Sequence, residues 1–455
     1  MKAGFGRSEI TPRLGVQLAG YGPYRNRAGR AVLAPLSARA MAVSSGRSRA
    51  VLISLELCGT SRELAERIRQ AVSARIGLRP GEILVGATHT HSGPATGGMF
   101  GWGEADGLYV ETLPARVADA AESAWKARTE VAWSHGEAPC EGIAVNRETD
   151  AGFAWAANFK ERMNPAWRPV RPQDTDPVAR VLCARDARGR LVGLLHHFGC
   201  HPVVCGEKTT DIHGDFVGLA SIRLEAAHPG AVALFFPGAL GDINPKINHR
   251  NRGESRIALR AIARAYTTAA EGALRAAGPI EDGGVLRVIT RDAVLRRIAP
   301  SPAKLAARIR RLEKLFTPPG CTDDPVAGGA GFRARGMEMA RLEGLRSILA
   351  GYRGRKAPNE PVRVSGLRIG PFAFIGAGIE LYNALRTATL KGSPHARTWI
   401  VSLIAGQGYA HDAAAQRRLG YTNDFVPIMK GTLPFVRVYS ELPRVLSRLA
   451  ADLAR

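Results

Sequence analysis

Along the chain, short apolar runs are followed repeatedly by polar or glycine-rich segments. Ala50–Leu57 has the length and apolar content of a buried strand, and Ser61 beyond it is a good helix N-cap. Leu64, Ile68 and Val72 then recur at helical spacing, and Glu82–Ala87 reads as the next strand. Strand, helix and strand in that order predict a βαβ unit. The same signals return at Leu191–Phe198, Ala231–Pro237, Phe372–Gly376 and Trp399–Ile404. Five of these six runs lead into residues with chemical capacity: Thr88-His89-Thr90-His91-Ser92-Gly93-Pro94, Cys200-His201-Pro202, Gly241-Asp242-Ile243-Asn244-Pro245, Gly378-Ile379-Glu380 and Gly408-Tyr409. Ligands of α/β sheets bind in the crevice at strand carboxyl ends. The pattern therefore predicts an α/β fold, a mixed β-sheet core with flanking helices, whose chemistry sits at those ends.

Two regions depart from this order. Ala3–Ile10 reads as an opening strand right after Met1. Residues 298–360 read as helical: Pro302–Phe316 places Leu305, Ile309, Leu312 and Phe316 on one face, a Gly- and Pro-rich link covers Thr317–Gly331, and a second helix spans about Ala334–Ala350. This is the pattern of a basic helical hairpin inserted into the α/β body, or of a lid. A last helix is expected over Glu441–Arg455.

Composition narrows the class. With 455 residues, 45% hydrophobic and 23% charged, the chain has the make-up of a globular protein with one large or two medium cores. No apolar run approaches the roughly 20 residues that span a bilayer. Residues 1–30 lack the apolar stretch of a secretory signal, so a cytoplasmic location is expected. The 6 cysteines include no Cys-x-x-Cys pair, and the chain is too long to need a disulfide scaffold. Cys200 and Cys205 flank His201 but read as small buried hydrophobes. The formal charge of +23 comes from scattered Arg, and aromatics make up only 6%. That distribution speaks against a nucleic-acid surface and leaves a weak contact with anionic membrane surfaces as an option.

The histidines carry the strongest chemical signal. His89 and His91 lie two apart, so on extended backbone both imidazoles point to one face. The hydroxyls of Thr88, Thr90 and Ser92 and the Gly93-Pro94 turn make the segment a polar, bent loop suited to a metal. His201 before Pro202 is the best second ligand. His196 and His197 fall inside a strand, where at least one must face the core, and His213 could support the ligands. His228, His249 and His395 read as solvated loop residues. A catalytic zinc site takes three protein ligands, often two His and a Glu, and keeps a place for water. Glu380 either supplies that carboxylate or serves as a first-turn acid of a helix through Asn383 and Leu385; residue pattern weighs the two evenly. There is no dinucleotide fingerprint, no Gly-x-x-x-x-Gly-Lys-Ser/Thr loop and no Gly-x-Ser-x-Gly elbow.

These segments, with Gly4–Pro12, Gly20-Tyr21-Gly22, Ala38-Arg39-Ala40, Asn146-Arg147, Asp215 and Gly218, resemble in order the catalytic domain of the neutral/alkaline non-lysosomal ceramidases. Those are zinc amidases that release a fatty acid from N-acylsphingosine. The resemblance implies that His89, His201, Glu380 and Tyr409 are zinc ligands. It likewise implies that His91 helps proton transfer, Arg147 contacts the polar end of the substrate and Tyr421 steadies the oxyanion. The cofactor so implied is Zn2+, and the reaction is hydrolysis of a linear amide, ceramide-like or another small-molecule or lipid N-acyl compound. A zinc esterase or lactonase, or a non-catalytic metal-binding protein, would use the same residues. Asn244 stands where the well-known ceramidases carry Ser, and a carboxamide cannot be a nucleophile. The resemblance implies one catalytic domain over residues 1–455, with the insertion at about 298–360 and without the C-terminal immunoglobulin-like domain of those enzymes.

Overall fold

The computed structural model of the protein describes residues 1–23, 26–155, 157–316, 329–353, 360–418 and 420–455, apart from the side chains of 252, 329–334 and 353. Eight strands form the larger sheet: β1 (Lys2–Glu9), β2 (Ser37–Ser45), β3 (Ser48–Leu55), β4 (Ile83–Ala87), β5 (Thr129–Pro139), β6 (Val178–Asp186), β7 (Leu191–Phe198) and β8 (Val232–Pro237). Their spatial order is β8-β7-β6-β5-β1-β2-β3-β4, and the short Gly278–Pro279 segment also pairs with β5. β3 and β4 are parallel and enclose α1 (Arg62–Ile76), which is the βαβ unit expected from the sequence. Ser61 caps α1 by accepting from the Leu64 amide, and Gly77 ends it in a left-handed conformation. β7 and β8 are also parallel; the other pairs of this sheet are antiparallel.

Among the described residues the strand ladder joins the two halves of the sheet at Lys2–Glu130 and Ala3–Thr129. A second sheet, β9 (Leu286–Ala293), β10 (Val362–Ile369), β11 (Phe372–Ala377) and β12 (Arg397–Val401), lies against both halves. Side-chain alternation builds the layers. Phe372 and Phe374 of β11 join Leu52, Leu84, Leu195 and Phe236 in the shared centre. Ala373, Ile375 and Ala377 face the other way, onto α8 (Val438–Ala454). Each buried Phe contributes roughly 1.5–3 kcal/mol relative to exposure. On the outer faces, α1 and α2 (Gly107–Lys126) cover β2–β4, while α3 (Asp215–Ala227) and α4 (Arg252–Arg275) cover β6–β8. Gly4 and Gly6 let α2 lie directly on β1: a Cβ there would sit 2.3 Å and 2.5 Å from the carbonyl oxygens of Ala124 and Ala120. The mixed sheet with flanking helices is thus the fold the pattern predicts.

Several boundaries differ: the run Ala50–Leu57 pairs as Ser48–Leu55, and the last helix, expected from Glu441, starts at Val438. The run Trp399–Ile404 stops pairing at Val401, because Leu403 and Ala405 turn into positive φ of 63° and 61°. In the insertion, α5 (Pro302–Glu313) buries Leu305, Ile309 and Leu312 as expected. The expected link Thr317–Gly331 falls largely outside the described residues, and the second helix, α6 (Gly329–Arg353), begins earlier than Ala334. Among the described residues no helix is long and apolar enough to cross a membrane.

Candidate metal centre and active site

β4 ends at Ala87, and the next residues are pinned by Thr88 N–H to Leu55 O at 2.8 Å and His89 N–H to Leu57 O at 2.9 Å. His89 then adopts a φ of +74°, so the segment is not the extended His-x-His expected from spacing. The turn still brings the two rings together, with centroids 4.8 Å apart and planes at 82°. Thr90 Oγ1 donates to His213 O at 2.8 Å, and His213 N–H donates to Ser92 O at 3.1 Å. His213 therefore supports the loop through its backbone. Gly20, at φ +103°, makes room for His91: a Cβ there would lie 2.3 Å from the imidazole Cγ.

His201 follows β7 and is held by its N–H to Ile243 O at 2.9 Å. Glu380 lies in a two-residue strand, Glu380–Leu381, paired in parallel with Tyr409–Ala410. The helix after it, α7 (Asn383–Lys391), starts three residues later. The carboxylate thus faces the histidines, which decides the alternative that the residue pattern left open.

The donor atoms converge. His89 Nδ1 donates to Cys58 O at 2.5 Å and His201 Nδ1 donates to Ile243 O at 3.1 Å. A carbonyl can only accept, so both Nε2 atoms present lone pairs. Glu380 Oε2 stands 3.1 Å from His201 Nε2 and 3.4 Å from His89 Nε2. Three buried acceptors facing one another require a proton or a cation between them. Donors about 2.0–2.2 Å from a tetrahedral zinc ion lie about 3.3 Å apart, so this set fits that ion. His91 Nε2 is a further 3.3 Å from His89 Nε2, and its Nδ1 is buried with no protein partner among the described residues.

Electrostatics follow from the same packing. Burial alone would lower His89, but the Glu380 charge, then Cys58, raise it well above its ordinary value. Burial alone would raise Glu380, yet His89 and His201 hold it well below the carboxylate range. Burial keeps His201 down at about 4 and, with the charges of His89 and His201, keeps His91 low as well. His201 and His91 are thus neutral at neutral pH, whereas His89, without a cation, keeps a proton toward Glu380. Burial and the Glu380 charge push the Tyr409 phenol up, so without a cation it keeps its proton.

A cavity of about 450 Å³ opens onto this cluster, lined by His91, His201, Arg147, Asn244, Tyr409 and Tyr421 among others. Arg147 is anchored by Gly241 O at 2.6 Å, has its guanidinium carbon 5.6 Å from the Tyr409 ring centroid and reaches Asn244 Oδ1 at 3.5 Å. Arg has only donors, so Asn244 turns its oxygen to Arg147 and leaves its buried Nδ2 without a protein partner among the described residues. The Tyr409 and Tyr421 rings lie 6.0 Å apart. All seven residues named by the resemblance therefore come together.

Other histidines sort by partner. His196 bonds Tyr266 and Ser221, and His197 stacks on Trp399 at 4.9 Å and bonds Phe236 O; both are core groups. His228 pairs with Glu271 at 3.1 Å. His395 is half-buried and bonded to Ala450 O rather than solvated. His249 corrects the expectation most: it lines the cavity between Tyr21 and Trp155, with ring centroids at 4.9 Å and 4.7 Å. Nothing local in the sequence marks the loops of Trp155 and His249 as folding over a site. Cys200 and Cys205 are buried in an apolar cluster, as expected.

Two carboxyls near the site add a pH dependence. Burial raises both Asp215 and Asp242 to about 7. Between about pH 4 and 7 an unfolded Asp is ionised while these keep their protons. The folded state then binds more protons, so their contribution to stability falls as pH rises through that window. Asp242→Asn should flatten this slope, read as melting temperature against pH by scanning calorimetry; parallel slopes for the two proteins would refute it.

The sequence profile described as "Neutral/alkaline non-lysosomal ceramidase, N-terminal" matches residues 1–291. The crystal structure of neutral ceramidase from Pseudomonas aeruginosa superposes with a TM-score of 0.71 at 18% identity, over 99% of this chain and 74% of that one. A ceramidase complexed with C2 superposes with a TM-score of 0.72 at 17% identity, over 100% of this chain and 75% of that one. Likeness at this identity establishes the common fold, and the profile match, which spans more than half of the sequence, shows that the chain belongs to the neutral/alkaline non-lysosomal ceramidase family.

Proposed function

We propose that this protein is a zinc-dependent hydrolase of linear amides, ceramide-like or other N-acyl compounds. The observation that carries the reading is the buried convergence of His89 Nε2, His201 Nε2 and the Glu380 carboxylate beside a cavity. Tyr409, held next to Glu380 by strand pairing, is the fourth ligand in this proposal. Zinc in such a site polarises a carbonyl and brings the pKa of water to about 7.

The chain's own residues do the rest. His91 is neutral and buried beside the ligands, so it accepts the proton of the attacking water and returns it to the leaving amine. Arg147 stays charged and holds the polar end of the substrate, and the Tyr421 hydroxyl donates to the oxygen on which negative charge develops. Asn244 cannot attack; it lines the cavity, and its buried Nδ2 is a donor with no protein partner among the described residues.

Metal analysis of the purified protein, run alongside matched N-acyl amide and ester panels, tests the reading. About one zinc per chain and faster turnover of the amides are expected. Full activity in metal-free protein would refute it, and turnover of esters alone would favour the esterase or lactonase on the same scaffold.

A further inference from the structure

The insertion is not an appendage. α5 and α6 share a core with the segment that carries Tyr421: Leu305, Ile309, Leu312, Leu342, Leu345 and Ile348 pack with Ile428 and Leu433. Tyr421 opens a wide helical turn, Tyr421–Phe425, in which the Val426 amide reaches back to Tyr421 O. Single wide helical turns of this kind are frequent at functional sites. Three residues on, Asp424 is gripped from both helices of the hairpin. Arg308 of α5 donates to it at 2.9 Å and Arg341 of α6 at 3.0 Å. Arg341 also covers the Phe425 ring, with its guanidinium carbon 4.0 Å from the centroid. Close to that contact, α6 lies so near the 426–429 backbone that a Cβ on Gly344 would stand 1.9 Å from Ile428 O. One α6 side chain goes further: Met337 lines the cavity itself, together with Trp102 and Tyr421.

We infer that the helical hairpin is a wall of the substrate site: Met337 limits the length of the substrate's hydrocarbon part, and the Arg308–Asp424–Arg341 clamp positions Tyr421. The inference rests on the amide-hydrolase reading for its substrate class and deepens it. Met is flexible and apolar, so it measures chain length by contact rather than by hydrogen bonding. The clamp acts through the backbone, because Asp424 and Tyr421 share one turn. A misplacement of about 1 Å at such a residue can cost roughly a hundred-fold in rate.

The test uses the full chain, two amide series graded in acyl and in amine length, and hydrogen exchange without substrate. Met337→Ala should move the optimum of one series to longer chains, and Met337→Trp to shorter ones, with zinc content unchanged. Asp424→Asn should lower kcat roughly ten- to hundred-fold while KM stays within a few-fold. Arg341→Met should exchange amides of 420–429 roughly five-fold faster, the scale of one half-buried ion pair. Unchanged chain-length optima in both Met337 variants, or unchanged exchange in Arg341→Met and Asp424→Asn, overturns the inference. Faster exchange in protein that turns over no amide supports the clamp and places the failure in the amide reading.

Discussion

His201→Ala is expected to strip the bound metal and at least roughly 10³ of kcat/KM, because the ion's contribution to the transition state amounts to several kcal/mol. The variant removes one of two inward-facing lone pairs and leaves Glu380, which is 4% exposed, opposite His89 alone. Of the four proposed ligands three then remain, with one imidazole nitrogen where there were two, so the ion is held far more weakly. Zinc content by elemental analysis and activity should fall together. A chelator should do the same to the wild type, with recovery on adding zinc back. His228→Ala removes a histidine whose ring pairs with Glu271 and serves as the control with normal metal and activity. Loss of activity in His201→Ala with zinc still bound at wild-type level would remove His201 from the ligand set.

Tyr421→Phe carries the second largest effect. The side chain is 41% exposed, so deleting the hydroxyl costs little stability. If the phenol donates to the developing oxyanion, kcat falls by roughly 10²–10³ with KM nearly unchanged, the signature of an interaction made only in the transition state. Melting temperature should stay within a degree or two of the wild type. An equal rise in KM with kcat preserved would instead make Tyr421 a ground-state contact. Comparing this variant with Asp424→Asn separates the hydroxyl from its placement. The double variant should lose little beyond Tyr421→Phe, because a clamp that acts through an absent group has nothing left to position.

Part of this protein is legible residue by residue. Local periodicity and capping placed the βαβ unit around α1, the run Leu191–Phe198 as β7 to the residue, and the apolar face of α5. They succeed because strand alternation, helix faces and the Ser61 cap are set by neighbours within a few positions. The loops after the strands also marked His89, His201 and Glu380 as candidates, since such loops hold polar side chains in α/β folds.

Local pattern thus yields the element grammar and the residue types available at strand ends. Tertiary structure decided which of them meet. Glu380 was balanced between a helix acid and a ligand until its two-residue strand paired with Tyr409, a partner 29 positions away that no local pattern names. His91 needed the left-handed turn at His89 and the gap at Gly20 to enter the site. His249 and Trp155 became cavity walls, and Met337 and Asp424 tied the hairpin to Tyr421, only through packing between distant segments. The physical reason is common to all of them. Short-range pattern fixes backbone conformation, whereas a site is assembled by side chains whose separation in sequence carries no information about their separation in space.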